Sequence, residues 1–418
     1  MGAIQNEQGR EAGHARGTPK QSRARLVGID AARGLALIGL MAIHILPAEN
    51  EDTGDPTLAW NLFYGDSAAL FALLAGVGLA LSSGGSQPHL RRKMAGNRLG
   101  LVARALLIGV IALVIGAFMP QNDDPPANGI LLYYSVFFLL AIPFLHLKSR
   151  ALFLSAAAFG IVAPILLQNL GPVLPEWSSF NPTLGHLFSE PAGVVSQLLF
   201  TGSYPALAYM CYILAGLGIG RLDLRKSSVL AWIAGVGAAL AILSNAASSV
   251  LLYTVGGYDR MLDAGIDEGF LDGAIVWGLE DIPNTSVWWL TLATPHNNTP
   301  FSIASSLGIG LLVTAVLIAV GRKVGHWLTP LAAMGSMTLT LYSAHLLALS
   351  AEVHYDQPGL WFVVHLAVAA AFGMVWSRWM GQGPLERMVA AAAKNFRQIV
   401  DYESAGGANP QPPGTVSR

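Results

Sequence analysis

Charge is what this sequence has least of. Only 12% of its 418 residues are Asp, Glu, Lys or Arg, and 24 basic against 25 acidic side chains leave a formal net charge of −1. So small and balanced a charge gives a nucleic acid no electrostatic footprint, and no nucleic-acid partner is expected. Cysteine is almost missing: Cys211 stands alone, which excludes an intramolecular disulfide, argues against a cysteine-based metal centre and reads as a small buried apolar residue. The chain has no internal repeat and no glycine-rich phosphate loop of the Walker type. It also lacks any His-Glu-x-x-His pair, so no metal is expected, although His44, His296, His345, His354 and His365 together raise the question.

What is abundant is apolar. Hydrophobic residues make up 53% of the chain and mean hydropathy is +0.51, the composition of an integral membrane protein. Ten apolar runs of about 18–24 residues can each cross a hydrocarbon core roughly 30 Å thick. They lie near 26–46, 60–82, 99–119, 129–147, 151–169, 203–220, 228–253, 302–320, 328–349 and 359–379. The expected fold is an all-α polytopic bundle of about ten transmembrane helices (9–11), multi-pass in the cell (plasma) membrane. Its partner is then the lipid bilayer; a homodimer is compatible with the sequence and not required by it.

The polar segments test that count, because cytoplasmic loops are rich in Lys and Arg. With the basic N-terminal tail inside, one side collects Arg91, Arg92, Lys93 and Arg98, then Lys148 and Arg150, Arg221, Arg225 and Lys226, Arg322 and Lys323, and Arg387, Lys394 and Arg397. The other side collects most of the acids, including Glu49, Glu51, Asp52 and Asp55 and the cluster Asp263, Asp267, Glu268, Asp272, Glu280 and Asp281, with Arg260 the basic exception. Both termini are therefore expected in the cytoplasm. Residues 1–25 read as a disordered basic tail and 398–418 as a second, leaving 26–397 as the membrane domain. A cleaved signal peptide is disfavoured by Asp30 and Arg33, which interrupt its would-be apolar core. Two outer segments, 171–202 and 254–301, are too long for turns and are expected to form interfacial or re-entrant helices, with Trp277, Trp288 and Trp289 in an aromatic belt.

The chemistry concentrates in the first span. Asp30, Arg33 and His44 sit in a segment otherwise fit for lipid, and a charge at membrane depth costs roughly 2.5–3.5 kcal/mol even on lenient scales, so such groups face a bundle interior or a cavity. Arg33 and His44 are eleven residues apart, which returns the helix to within about 20° of one face over a rise of about 16 Å. His44 and Asp66 fall at similar depth in consecutive spans, as a base and its orienter would; the alternatives are a core histidine bonded to a carbonyl and a carboxylate paired with another helix. Tyr342 and His345 are neighbours on the ninth span. His296 lies in Pro295-His296-Asn297-Asn298-Thr299-Pro300, a polar loop that suits a cavity lining, with Asn298 and Thr299, or a capping turn for the next helix. Arg33, Arg98, Arg91 and Arg92 are candidates to grip an anionic donor's phosphates, or else record topology alone, and Asp30 is the competing partner for Arg33.

The Asp-x-x-Arg-Gly start and the Arg-x10-His spacing resemble the first span of family-3 membrane acyltransferases. Trp60-Asn61 with Asp66, Gly129-Ile130-Leu131, and Gly335 with Tyr342 and His345 follow in the order of the heparan-alpha-glucosaminide N-acetyltransferase family and its bacterial relatives. The resemblance implies acetyl-CoA as co-substrate and transfer of its acetyl group, at a site including His44, Asp66, His345 and His296, to a hydroxyl or amine of an extracytoplasmic sugar, glycolipid or exported small molecule. One departure stands out. That branch places a reactive His just before the Trp-Asn, where this chain has Thr57-Leu58-Ala59, and His44 occupies a place where the branch carries Asn. Direct transfer with His44 as general base is therefore expected over an acyl-histidine intermediate. A secondary transporter or proton-coupled exporter would use many of the same buried ionisable groups, but the missing repeat argues against it.

Overall fold

The computed structural model describes residues 27–122 and 124–402. The expected tails at 1–25 and beyond 402 lie outside them. All regular secondary structure among the described residues is helical, apart from one isolated Glu49–Pro56 β-bridge. The chain runs through α1 (Val27–Ile45), α2 (Leu58–Phe63), α3 (Asp66–Ser82), α4 (Arg91–Gly116), α5 (Leu131–Ala141) and α6 (Ser149–Leu170). Short α7 (Leu184–Ser189) and α8 (Pro191–Ser196) lead into α9 (Ala206–Gly220) and α10 (Ser227–Ser249). Beyond them come α11 (Gly257–Asp263), α12 (Glu268–Trp277), α13 (Pro300–Val324), α14 (Thr329–Gly335), α15 (Thr338–Leu349), α16 (Pro358–Met380) and α17 (Pro384–Tyr402). α17 continues past residue 397, where the domain was expected to end.

Seven helices among the described residues are long and apolar enough to cross a membrane, and two bent pairs raise the number to nine. The pairs are Pro191–Thr201 with Ala206–Gly220, bent by 50°, and Thr329–Gly335 with Thr338–Leu349, bent by 79°. The expected span at 129–147 is the apolar stretch Leu131–Phe144, whose rise of about 21 Å falls short of a roughly 30 Å core. Both breaks occur where backbone can be satisfied within protein: residues 202–205 are buried, and Gly335, Ser336 and Thr338 line a cavity.

α1 is the hub, packing on α13, α14, α3 and α16. Its glycines set how closely its neighbours come. A Cβ at Gly28 would stand 2.3 Å from the Leu317 carbonyl oxygen, one at Gly34 2.1 Å from that of Leu331, and one at Gly335 of α14 1.7 Å from that of Asp30. Side chains bind the basic loops into one end of the bundle. Arg221, 4% exposed, donates to the Ala80, Gly85 and Leu145 carbonyls and to Ser83 Oγ, closing the C-terminal end of α3. Arg322 donates to the Leu224 carbonyl, and α17 lies along α4.

At the opposite end a small cap forms around its own core of Leu252, Met261, Leu271, Ala274, Ile282, Trp289 and Leu292. The long segment 254–301 therefore does fold into short helices, α11 and α12, and one of its three tryptophans, Trp289, is buried in the cap while Trp277 and Trp288 stay half-exposed. Trp289 is core at 1% exposure, Trp288 stacks under Arg260 at 5.1 Å, and Trp277 meets the edge of Trp60 at 5.7 Å.

Candidate active site

A cavity of about 560 Å³ opens among α1, α3, α4, α5, α15 and α17 at the basic end. Arg33, Arg104, Lys394 and Arg397 line it, against the single lining carboxylate Glu386 among the described residues. Glu386 already accepts from Thr340 N at 3.2 Å and from Thr340 Oγ1 at 2.6 Å, which pins the start of α17 to α15. Small residues make room for the guanidinium groups: a Cβ at Gly78 would lie 2.8 Å from Arg33 Nη2, and one at Gly100 2.7 Å from Arg397 Nε. Arg33 pairs with Asp30 at 3.5 Å and donates to the Leu74 carbonyl at 3.4 Å while still facing the cavity. Both sequence readings of Arg33, local pair and cavity cation, thus describe it. Arg104 lies over the Phe138 ring at 4.9 Å.

The other expected donor residues stand elsewhere. Arg91 and Arg92 begin α4 with exposed side chains, and Arg98 meets His146 at 3.5 Å; none of the three lines the cavity. Conversely Lys394 and Arg397, assigned by sequence to topology, do line it, and so does Arg104. The 3.6-residue period could have flagged Arg104, which follows Gly100 by one turn on the same face of α4.

The deep end of the cavity is Tyr342, beside Leu40 and Ile130. Its hydroxyl accepts from Ile130 N at 3.4 Å, and its ring lies 6.3 Å from both His44 and His345. Those two histidines stack with centroids 5.4 Å apart and share a hydrogen bond of 3.1 Å between His44 Nδ1 and His345 Nε2. His345, 3% exposed, joins His365 of α16 through a further bond of 2.8 Å between their Nδ1 atoms. Sequence reading set His365 aside with the metal question; its partner is twenty positions away across a loop, and no spacing rule links the two. Among the described residues no group of three or more His, Cys, Asp or Glu is arranged to hold a metal ion.

Asp66 does not orient His44. It opens α3 behind Gly65, whose φ of +70° turns the chain, and its carboxylate neighbours Ser306 of α13 and Tyr212 of α9. Asp66 thus lies against polar groups of other helices, with its Oδ1 buried and unpartnered, and the hydrogen-bond partner of His44 Nδ1 is His345.

His296 belongs to a different cluster. Its ring stacks on Tyr64 at 5.3 Å and meets Tyr204 edge-on at 5.3 Å, while Tyr64 stacks on Trp60 at 3.6 Å. The loop that carries it is wedged between glycines: a Cβ at Gly65 would lie 2.7 Å from His296 N, and one at Gly278 2.9 Å from Asn297 Oδ1. His296 and Asn298 adopt φ of +72° and +55°, backbone values that only a tightly held loop sustains in side-chain-bearing residues. Asn298 spends its amide on the His296 carbonyl at 3.0 Å, and Thr299 caps α13 by accepting from Ser302 N at 3.1 Å. For Thr299 the capping reading therefore holds. Desolvation lowers the His296 pKa to about 4, so its ring is neutral at ordinary pH. Near this cluster Asp281 is raised to about 6 by desolvation and by Glu280, which desolvation raises in turn.

The cation-lined cavity thus reaches Tyr342, and the hydrogen-bonded pair His44–His345 stands beside that tyrosine, with ring centroids 6.3 Å away. No curated protein matches the chain. Residues 25–255 match the catalytic region of heparan-alpha-glucosaminide N-acetyltransferase. The match takes in α1 to α10 and stops before α13 to α17, which supply Tyr342, His345, Lys394 and Arg397. Covering more than half of the chain, it shows that this membrane protein belongs to the heparan-alpha-glucosaminide N-acetyltransferase family.

Proposed function

We propose that the protein is a transmembrane acetyltransferase of the plasma membrane. It takes the acetyl group of acetyl-CoA in the basic-end cavity and delivers it to a hydroxyl or amine on a sugar, glycolipid or exported small molecule entering from the acidic end. The positive-inside rule then puts the basic end, the cavity mouth and both termini in the cytoplasm. One observation carries the reading. A single cavity, within the roughly 300–1,000 Å³ range of ligand sites, runs from four cations to Tyr342, whose ring lies 6.3 Å from His44 and His345.

In this reading Arg33, Arg104, Lys394 and Arg397 hold the donor's phosphates by charge-assisted hydrogen bonds. The acyl arm runs along Leu40, Ile130 and Phe138 toward Tyr342. The bond from His44 Nδ1 to His345 fixes the ring and leaves His44 Nε2 to take the proton of the attacking group. The new oxygen–carbon or nitrogen–carbon bond forms as the carbon–sulfur bond breaks, and the departing thiolate is protonated to free CoA. No acyl-histidine is needed. Family membership favours this enzyme over a transporter built on the same ionisable groups.

The test is acetyl-CoA binding and CoA release by the protein in nanodiscs, with and without an amino-sugar acceptor. Binding weakened by Arg33→Ala and turnover lost in His44→Ala, with donor affinity intact, support the reading. A well-folded wild type that neither binds acetyl-CoA nor releases CoA sinks it.

A further inference from the structure

We infer that His44, His345 and His365 form a proton relay that carries the acceptor's proton from the transfer centre to the α15–α16 loop, with His365 as its exit. The inference rests on the acetyl-transfer reading and adds to it where the proton goes. His44 is half-buried and its partner His345 is only 3% exposed, so an imidazolium held between them would be costly without an outlet for the proton.

The geometry supplies one. His44 Nδ1 meets His345 Nε2 at 3.1 Å, and His345 Nδ1 meets His365 Nδ1 at 2.8 Å. Each ring thus enters the chain by one nitrogen and leaves it by the other. With protons resting on His44 Nδ1, His345 Nδ1 and His365 Nε2, both hydrogen bonds are satisfied by neutral rings, and His44 Nε2 keeps the free lone pair that faces the acceptor. His345 is buried while His44 and His365 are each half-buried, so the row crosses a buried middle between the transfer centre and α16. It ends against the loop that bears Glu352 and His354. His354 is 2% exposed with neither ring nitrogen hydrogen-bonded, and its ring packs on that of Tyr355 at 4.2 Å. Among the described residues the other titratable groups facing the row and its end are Tyr342 beside His44 and His345, and Glu352 and Tyr355 beside His354.

The balance is simple. The acceptor's O–H or N–H bond breaks and its proton goes to His44 Nε2. The His44 Nδ1 proton passes to His345 Nε2, the His345 Nδ1 proton to His365 Nδ1, and the His365 Nε2 proton leaves to solvent. The acceptor's electron pair forms the bond to the acetyl carbon, and the carbon–sulfur pair departs on the thiolate, which takes its own proton from the solvated cavity. Rotation of the three rings restores the start.

The experiment follows CoA thiol release from acetyl-CoA in nanodiscs, with glucosamine or water alone as the acceptor probe. It compares wild type with His365→Gln and His365→Ala, reading whichever variant keeps wild-type donor affinity. The expected result is a fall in kcat of about a hundredfold, the low end of proton-transfer effects, with KM for acetyl-CoA unchanged and the rate restored in a saturable way by added imidazole. A merely structural histidine would not be rescued by a diffusible proton carrier. Unaltered kcat in the variant, or a loss that imidazole leaves in place, overturns the relay while the transfer reading stands. Thiol release absent from the wild type itself overturns the transfer reading and the relay with it.

Discussion

Replacing Arg104 by Met removes a cation that faces the cavity without disturbing the helix that carries it. The side chain lies over Phe138 at 4.9 Å, and its charge is opposed by Arg33 and Arg397 and favoured by Glu386. Without a donor, the substitution forfeits a cation–π contact of about 0.5–2 kcal/mol and relieves repulsion from two like charges. These changes oppose each other, and the melting temperature of the donor-free protein should move by no more than a few degrees. With the donor bound, the same substitution removes a charge-assisted hydrogen bond to phosphate, about 1.5–3 kcal/mol, which is roughly a 10- to 150-fold rise in Kd. Isothermal titration of acetyl-CoA into nanodiscs measures this, and Arg98→Met is the control, because Arg98 is six residues away on the same helix but outside the cavity. If Arg98→Met weakens binding as much as Arg104→Met, or Arg104→Met not at all, the cavity is not the donor site.

Gly335→Ala would place a methyl group 1.7 Å from the Asp30 carbonyl oxygen; overpacking of this kind costs about 1–3 kcal/mol, so thermal melts should show a drop that the neighbouring Ser336→Ala does not. His44→Ala should lower kcat by roughly 10²–10⁴ while acetyl-CoA still binds with wild-type affinity; a joint loss of both would make His44 structural. Asp281 has its carboxyl raised to about 6 against an ordinary 3.8. Between those values the folded protein holds a proton the unfolded chain has released, so this group costs stability as pH rises through the window. Asp281→Asn should therefore raise the melting temperature at pH 7.5 and leave it unchanged at pH 4, and an equal gain at both would refute the assignment.

Helix positions and the sorting of charge to two ends were legible because both follow from local composition: a run of apolar residues must be helical in lipid, and loop arginines mark an end. Arg33 and His44 stood out by an eleven-residue spacing on one helix, and Tyr342 and His345 by adjacency on another; the structure brings the rings of the last three within 6.3 Å of one another. What sequence could not deliver was partnership between helices. His44 and His345 are 301 residues apart, and no periodicity links them. Asp66 misled for the same reason: the turn at Gly65 sends it toward Ser306 and Tyr212. Lys394 and Arg397 looked like topological charge because nothing in the sequence says that α17 folds back along α4.

Arg33 and His44 stand on one unbroken helix, α1, whose glycines lock it against α13 and α14. Their separation of about 16 Å along the axis is consequently fixed by rigid backbone, and α1 acts as a ruler. A donor gripped by its phosphates at one mark presents its thioester at the other only if its arm has the matching length. Shortened or lengthened CoA analogues should then bind and yet fail to transfer, so that discrimination among donors is made by reach, with no pocket needed to recognise the acyl group itself.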